Sequence, residues 1–451
     1  MILRTAVTKV DQSSWLVLVL AAPFLLFPTP LTTPVLLVVP ALWLVSKMAK
    51  NEIFPHTPVN GALLLMYLMV LVSLFASYDW EQSLPKISGM VLGIGVFSVV
   101  VQLGRAAKGW WLCWAAFMAA GVLISALGLI GTQWPAQIKF FSSPKVFAPG
   151  FLSGLLGSIG GFHPNEVAGA LLWSFPALLV LAITAWRSLR LGAARFGRLT
   201  AGLLASALSV LAIVAFLVLL LTQSRSAYVA LVGMAAFLVW VILSKPWRWF
   251  FAAAGTAGIC LAGWLVSQTN WLVTARPLQE NTIAVPGTLN LRMEVWSRAV
   301  SAIRDFSWTG MGMNLFRTTS ESMYPLFLID PSRDIAHAHN EFLQAALDLG
   351  IAGLVAFLAL NLAAVIMLRR LWLRLPAVAQ FLHPLQDAPL ISRAVVLGLA
   401  GGLISHMIYG MADAVGLGAK PGVLFWLLIA LVTALYIRVS LPNIPVQDQR
   451  V

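Results

Sequence analysis

Residues 337–368 read HAHNEFLQAALDLGIAGLVAFLALNLAAVIML, and this stretch decides the fold that we predict. Its apolar part is long enough to cross the hydrocarbon of a bilayer, which takes about 20 residues of helix. Its first six residues, 337–342, place two imidazoles, an amide and a carboxylate at the mouth of that helix. Ionisable groups are costly in or near a bilayer, so we interpret this mouth as functional.

The rest of the chain repeats the apolar pattern. Of its 451 residues 60% are hydrophobic and only 10% are charged, and the mean hydropathy is +0.89. Soluble domains need more surface charge than this. We therefore predict an all-α polytopic membrane protein with about twelve transmembrane helices. The predicted spans are 14–28, 31–47, 59–77, 87–104, 110–131, 165–185, 199–222, 226–244, 250–268, 340–368, 392–415 and 421–438.

Three regions follow from these spans. Residues 1–268 carry the first nine, residues 269–338 form a large loop, and residues 339–451 carry the last three and a C-terminal tail. The loop is partly ordered, because apolar residues recur at helical spacing between 288 and 306, where Asn290 could cap the helix. With the glycine turn that follows, this helix makes the loop a plausible lid over the membrane mouth.

Basic residues set the predicted orientation. The positive-inside rule makes the face with the most basic short loops cytoplasmic, which places both termini inside and the large loop outside. The net charge of +13 therefore indicates mainly how the chain is oriented in the membrane. The cations are scattered over loops instead of forming one patch, so we expect no binding of nucleic acid. We expect these cations to contact the lipid bilayer. The residues that define this face are Arg4, Lys9, Lys47, Lys50, Arg105, Lys108, Arg187, Arg190, Arg195, Arg198, Lys245, Arg248, Arg369, Arg370, Arg374 and Arg438.

Other cations lie in the segments predicted to face outward, against the usual bias. Some can snorkel or pair with nearby acids, and the others require an anion. They are Lys86, Lys139, Lys145, Arg225, Arg276, Arg292, Arg298, Arg304, Arg317, Arg333 and Lys420.

Two polar patterns interrupt the apolar spans. Asn340, Gln344 and Asp348 are spaced by four, so their stripe should face the bundle interior, as ligand contacts or as hydrogen bonds between helices. His406 and Asp413 are seven apart and therefore on one face of predicted span eleven. Asp413 could position an arginine or a sugar near the outer end, or form a bond between helices.

His339-Asn340, nine further residues, and then Gly350-Ile351-Ala352-Gly353 carry a family resemblance. This pattern resembles the H-[NSQ]-x9-G-x-x-[GTY] signature of bacterial O-antigen ligases. The turn 222–226 is similar to that family's short outer turn with an arginine, and residues 290–296 to its arginine helix. Residues 164–168 resemble its N-x-x-A entry to a middle span. The resemblance covers most of the chain.

The resemblance implies transfer of a polysaccharide from undecaprenyl diphosphate to a sugar of the lipid A core. The reaction would take place on the periplasmic side of the bacterial inner membrane. O-antigen polymerases share some of these motifs and the donor, but their acceptor is a second lipid-linked glycan, so this alternative stays open. An organic-anion transporter is a further alternative, although no repeated halves are visible in the sequence.

The chemistry of such a donor can be matched to the residues. A diphosphate leaves as a stabilised anion, and guanidinium groups fit phosphate in bidentate fashion. We predict that Arg225 and Arg292 bind it, with Lys86 and Arg298 as weaker additions. Asn340 and Asp413 are the remaining predicted substrate contacts. The sequence lacks an Asp-x-Asp motif, so we expect a metal-independent reaction without a cofactor.

The acceptor hydroxyl needs a base, and imidazole titrates in the useful range. The motif favours His339, and direct displacement would invert the anomeric centre. His337 is the competing candidate. On a helix the two rings would diverge by about 200°, so they can share one site only if His337 lies in the preceding loop.

Overall fold

A computed structural model describes residues 2–132, 162–189, 197–251, 253, 255, 288–329, 335–382 and 388–440. Within these residues the protein is helical, and an isolated bridge between Thr132 and Phe162 is the only β-pairing. The helices are α1 Ile2–Gln12, α2 Ser14–Leu26, a 3-10 helix Thr33–Leu37, α3 Val38–Lys50, α4 Asn60–Ala76, α5 Trp80–Leu103, α6 Ala107–Gly131, α7 Pro164–Arg187, α8 Arg198–Leu221, α9 Arg225–Ile242, α10 Thr288–Asp305, α11 Phe316–Ser322, α12 Glu341–Leu373, α13 Leu375–Leu382, α14 Ala388–Gly410, a 3-10 turn Lys420–Gly422 and α15 Val423–Ser440.

The helices have the composition of a multi-pass membrane protein. In the described part of the chain nine are long and apolar enough to cross a bilayer, and α2 and α4 are shorter apolar helices. The predicted span 250–268 lies mostly outside the described residues, so the total of about twelve stays a prediction. The short helices α1 and α13 were not predicted, because they are too brief to give a spanning pattern.

The core of the bundle is built by α5, α7, α14 and α15. α15 is buried nearly all round, whereas α8 and α9 expose apolar faces, which is the pattern expected of inner and lipid-facing helices. α7 packs closely along α14 because Gly398 and Gly402 bring the two backbones together. A Cβ on Gly398 would lie 2.8 Å from Ala177 Cα. Small residues allow this kind of close packing between membrane helices.

α12 is kinked at Gly350, where φ is +68°. At the kink Ile351 N donates to Ser307 O and Met311 N donates to Leu347 O, both at 2.8 Å. Backbone groups of the helix are thus satisfied by the segment that follows α10. Glycine is required because the left-handed φ disfavours a side chain, and a Cβ there would lie 2.8 Å from Trp308 O.

The kink divides α12 into two environments. Residues 341–349 are mostly buried, whereas Ile351, Val355 and Leu362 beyond the kink are 42%, 52% and 61% exposed on an apolar face. The first part is enclosed by residues 288–329, which we call the outer module. Leu347 belongs to the module's own core of Val295, Ala299 and neighbours. α12 therefore joins the module to the bundle.

Two predicted boundaries are wrong. α10 confirms the helix predicted within the loop, but it begins at Thr288, so Asn290 lies inside it and is not its cap. Predicted span eleven ended at 415, whereas α14 ends at Gly410. Asp413 N bonds back to Tyr409 O in a turn. Asp413 thus lies in the non-helical segment 411–419 and shares no helix face with His406.

Candidate active site

Asp413 is the meeting point of four distant parts of the chain. Its side chain is fully buried. Its Oδ2 accepts hydrogen bonds from Asn165 Nδ2 at 2.7 Å and from Arg292 Nη2 at 3.3 Å. Its Oδ1 lies 3.1 Å from His339 Nδ1 and also accepts from Ala414 N at 3.0 Å. Both carboxylate oxygens are therefore fully engaged.

The start of α12 holds the Asp413 segment in place. Asn340 caps the helix, because its side chain accepts from Phe342 N and Leu343 N at 3.0 Å. The same side chain donates from Nδ2 to Met411 O at 2.9 Å. Glu341, the next residue, accepts from Val415 N at 2.7 Å. The segment is thus fixed on both sides of Asp413, and Asn340 has a structural contact in addition to its predicted substrate role.

His339 presents one nitrogen to Asp413 and the other to the surroundings. It precedes α12 with φ at +50°, and its side chain is 29% exposed. Since a carboxylate accepts hydrogen bonds, the Nδ1 that faces Asp413 carries the proton in the neutral ring. Nε2 then has a free lone pair. Asp413 therefore orients His339 as a proton acceptor, as a carboxylate does for the imidazole of a catalytic triad.

His337 also lies before α12, which meets the condition under which both imidazoles can share the site. Its ring centroid is 4.5 Å from that of His339. His337 Nδ1 accepts from His339 N at 3.1 Å, so its proton is on Nε2, which lies 4.0 Å from Asp413 Oδ1. Burial, and then the neighbouring His339, lower the pKa of His337 to about 3. His337 is therefore neutral and helps to fix the backbone of His339.

His337, His339 and Asp413 could also hold a metal ion, since one ligand atom of each lies within 4.8 Å of the others. A metal-bound nitrogen must offer a lone pair. In this hydrogen-bond pattern the nitrogens that face Asp413 carry protons, and Arg292 occupies the second oxygen. A metal ion would have to displace these protons, so the three side chains can serve either proton transfer or metal ligation.

Asp413 is charged in spite of its burial. Desolvation raises the pKa of this carboxyl, but the hydrogen bond from His339 and the electrostatic interactions with the two imidazoles and the Arg292 guanidinium outweigh it, so the pKa lies below the ordinary value. The negative charge of Asp413 can therefore stabilise a positive imidazole. Asn165, which donates to Asp413, is itself held by Tyr409, whose hydroxyl donates to Asn165 O at 2.6 Å.

The two predicted arginines lie at the same end of the bundle. Arg292 Nη1 approaches Ser226 Oγ at 3.5 Å, which docks α10 onto the first turn of α9. Arg225 immediately precedes Ser226 and is exposed. Among the described residues Arg225 has no ion-pair partner, so its guanidinium can accept an anion.

Arg298 lies elsewhere. It is six residues after Arg292, which rotates it by about 240° around α10. Its guanidinium stands 5.4 Å from the centroid of the Phe327 ring. The structure therefore places Arg298 inside the outer module and does not bring it to Asp413.

The polar stripe of α12 divides into two parts. Gln344 accepts from Ala338 N at 2.9 Å and donates to Asp348 Oδ1 at 2.8 Å. Asp348 also accepts from Asn314 N at 3.1 Å. These two side chains hold loops in place, whereas Asn340 lies at the site.

Sequence reasoning missed Asn165 and Ser226 as members of the site. Asn165 and Ser226 belong to two of the quoted motifs and stand at the first turns of α7 and α9. Their position in the first turn of an apolar helix was the signal in the sequence that could have identified them. Only the fold shows that these entrances meet.

The sequence profile of the O-antigen ligase family matches residues 208–358. This range is about a third of the chain and includes Arg225, Arg292 and both histidines, whereas Asn165 and Asp413 lie outside it. None of the curated proteins matches the chain. The similarity supports a membrane enzyme that transfers glycans, of the O-antigen ligase or polymerase type.

Proposed function

We propose that this protein ligates O-antigen polysaccharide from undecaprenyl diphosphate onto the lipid A core oligosaccharide. The observation that carries the proposal is the pairing of His339 with the buried Asp413, beside Arg292 and under the mouth formed by α12. A base and an anion-binding guanidinium are the two groups that this transfer requires.

The proposed step is a direct displacement. The acceptor hydroxyl gives its proton to His339 Nε2 while its oxygen bonds to the anomeric carbon of the donor sugar. The bond from that carbon to the diphosphate oxygen breaks, and the diphosphate leaves with the electron pair. Arg225 and Arg292 stabilise its charge, and Asp413 stabilises the imidazolium. Because attack and departure are on opposite sides, the anomeric configuration inverts.

The proposed location is the bacterial inner membrane, with this site on the periplasmic side and both termini in the cytoplasm. Lys47 and Lys50 at the end of α3 support this orientation, as do Arg369 and Arg370 at the end of α12. Basic residues favour the cytoplasmic face, and these helix ends are opposite the start of α12 that carries the site.

Reconstitution tests the proposal. The purified protein in liposomes receives purified lipid-linked donor and lipid A core, with and without a chelator. We expect core molecules that carry one attached polysaccharide, at the same rate in both conditions. Growth of chains on the carrier lipid without product on the core would instead identify a polymerase. Passage of the substrate across the membrane without a covalent product would identify a transporter.

A further inference from the structure

The turn that leads into α9 carries two buried hydroxyls at the end of the helix that Arg292 contacts. Ser224 and Ser226 are 3% and 5% exposed. Gln223 and Arg225, which alternate with them, are exposed, so the two serines face the interior of the protein. Ser226 shows what lies there, because Arg292 Nη1 approaches its Oγ at 3.5 Å. The inward side of this turn is therefore a wall of the candidate active site.

Ser224 stands at the N-cap position of α9, yet its side chain does not cap the helix. The first bond of the helix runs from Tyr228 N to Ser224 O at 3.0 Å, so the N–H groups before it have no acceptor within the helix. A serine at this position ordinarily accepts from one of them. Here it makes no such bond, and in the part of the chain that the structure describes Ser224 Oγ is buried without a partner. This end of α9 therefore keeps N–H donors and a hydroxyl for a ligand.

The kind of ligand follows from the kind of donor. A polar group that is buried without a partner costs free energy and needs an explanation. α9 has 18 residues, and the aligned peptide dipoles of such a helix place partial positive charge at its start. N–H groups at a helix start are the donors that hold phosphate in nucleotide-binding folds. An anion would satisfy these N–H groups and the Ser224 hydroxyl together, whereas the N–H groups would repel a cation.

Two guanidinium groups flank the same place. Arg225 is the first residue of α9 and is exposed. Arg292 reaches Ser226 from α10, and its side chain is 21% exposed, so this wall of the site has a route to solvent. Guanidinium groups match the oxygens of phosphate in bidentate fashion. Positive charge and neutral donors thus meet at the start of α9.

Lys86, the remaining predicted cation, belongs to another helix. It lies in the first half of α5 and is half-buried. A Cβ added to Gly416 would lie 3.0 Å from Lys86 Nζ, so the ammonium rests against the segment that follows Asp413. The charge at the start of α9 is therefore that of the two arginines.

We propose that the start of α9 is a seat for one phosphate of the lipid-linked diphosphate donor. The phosphate oxygens accept from the N–H groups of the first turn and from the hydroxyls of Ser224 and Ser226, while Arg225 and Arg292 balance the charge. This inference rests on the proposed function for the identity of the donor. It adds neutral donors, fixed by the helix, to the two cations, and it makes Ser224 a substrate-binding residue.

The test measures binding of undecaprenyl diphosphate, without glycan and without acceptor, to the purified protein in detergent. In Ser224→Ala we expect Kd to rise about ten- to a hundredfold, the loss of one hydrogen bond to a charged group. Tm should not fall, because the hydroxyl that is removed caps nothing. A serine that served the fold alone would show the reverse, a lower Tm and an unchanged Kd.

Ser224→Asp is the sharper variant, because its two effects have opposite signs. Its carboxylate can accept from the N–H groups of the first turn, which stabilises the helix. The same carboxylate occupies the place of the phosphate, so we expect a higher Tm together with a Kd above that of Ser224→Ala. Ser13→Ala is the matched control, since Ser13 precedes α2 without capping it, and it should leave both quantities unchanged.

The phosphate of a bilayer lipid has the same chemistry as the donor, so phosphatidylglycerol is added as a competitor. Displacement of undecaprenyl diphosphate by an equal concentration of phosphatidylglycerol would assign the seat to lipid headgroups and overturn the proposal. Wild-type affinity in Ser224→Ala would overturn it as well, even if Ser224→Asp did not fold. Both outcomes leave the proposed function intact, because the arginines can hold the donor alone. A wild-type protein that does not bind undecaprenyl diphosphate would reject the seat and the proposed donor together.

Discussion

Asp413 and Asp348 are both buried carboxylates that accept hydrogen bonds, and they serve different purposes. Asp413 is bonded to a guanidinium, an imidazole and an amide. Asp348 is bonded to the amide of Gln344 and to a backbone N–H, all through one oxygen. The first set contains groups that carry or exchange charge, and the second contains only neutral donors.

Access separates them as well. The imidazoles beside Asp413 are 19% and 29% exposed, for His337 and His339, whereas Asp348 is 2% exposed and Gln344 5%. A substrate can reach the first network but not the second. Burial of a carboxylate is therefore no guide to function by itself. Its partners and the route to them decide whether it holds the fold or orients a reacting group.

The largest expected effect is that of His339→Ala. Loss of a general base lowers the rate of transfer by about a hundred- to ten-thousandfold. Binding of the lipid-linked donor should be nearly unchanged, because the arginines hold the diphosphate. Single-turnover transfer and donor binding measure the two quantities. His337→Ala should show the milder defect. Normal transfer by His339→Ala would remove it as the base, and a complete loss confined to His337→Ala would move the base two residues upstream.

Arg225→Ala and Arg292→Ala come next. Each should lose roughly 2–4 kcal/mol of transition-state stabilisation, by analogy with other lost electrostatic groups. The matched Arg→Lys changes should keep part of the activity, because lysine supplies charge without the bidentate fork. Values of kcat/KM at matched expression levels test this. Transfer at the wild-type rate in both alanine variants would contradict the diphosphate site.

Asparagine at the two aspartates gives the sharpest comparison. Both oxygens of Asp413 accept hydrogen bonds, so an amide nitrogen in Asp413→Asn would face a donor, and the rate should fall about ten- to a hundredfold. Asp348→Asn keeps the oxygen that its partners use. It should leave kcat unchanged and alter the free energy of unfolding by less than about 1 kcal/mol. An equal loss of kcat in both variants would show that Asp413 and Asp348 do not differ in their contribution to catalysis.

The smallest effect concerns pH. The pKa of His337 is lowered from 6.5 to about 3 in the folded protein, so the unfolded chain binds more protons between these values. The free energy of unfolding should therefore fall as the pH drops from about 6.5 toward about 3. His337→Gln should reduce this slope, whereas His56→Gln, at an exposed position, should not. Unfolding in detergent over this range measures it, and identical slopes in all three proteins would refute the assignment.

Much of the fold was predictable from the sequence, because a bilayer imposes strong rules. Backbone groups in hydrocarbon must be bonded within the segment, so long apolar runs are helices. The helix of the outer module could be predicted from the spacing of its apolar residues, because one face of such a helix must be buried. The residues at which helices end could be predicted less accurately. Span eleven was predicted five residues too long, because residues 411–415 are as apolar as the helix before them except for Asp413.

The sequence also placed His339, Arg225 and Arg292 among the candidates, since ionisable groups stand out in an apolar chain. Only the tertiary structure decided how they are joined. Asn165, Arg292, His339 and Asp413 are up to 248 positions apart along the chain, and no local pattern records their contacts. Helix packing brings these four residues together, and the kink at Gly350 holds the outer module, which carries Arg292, in position. The types of group are thus local properties of the sequence, whereas the tautomer of His339 and the charge of Asp413 depend on neighbours that only the fold supplies.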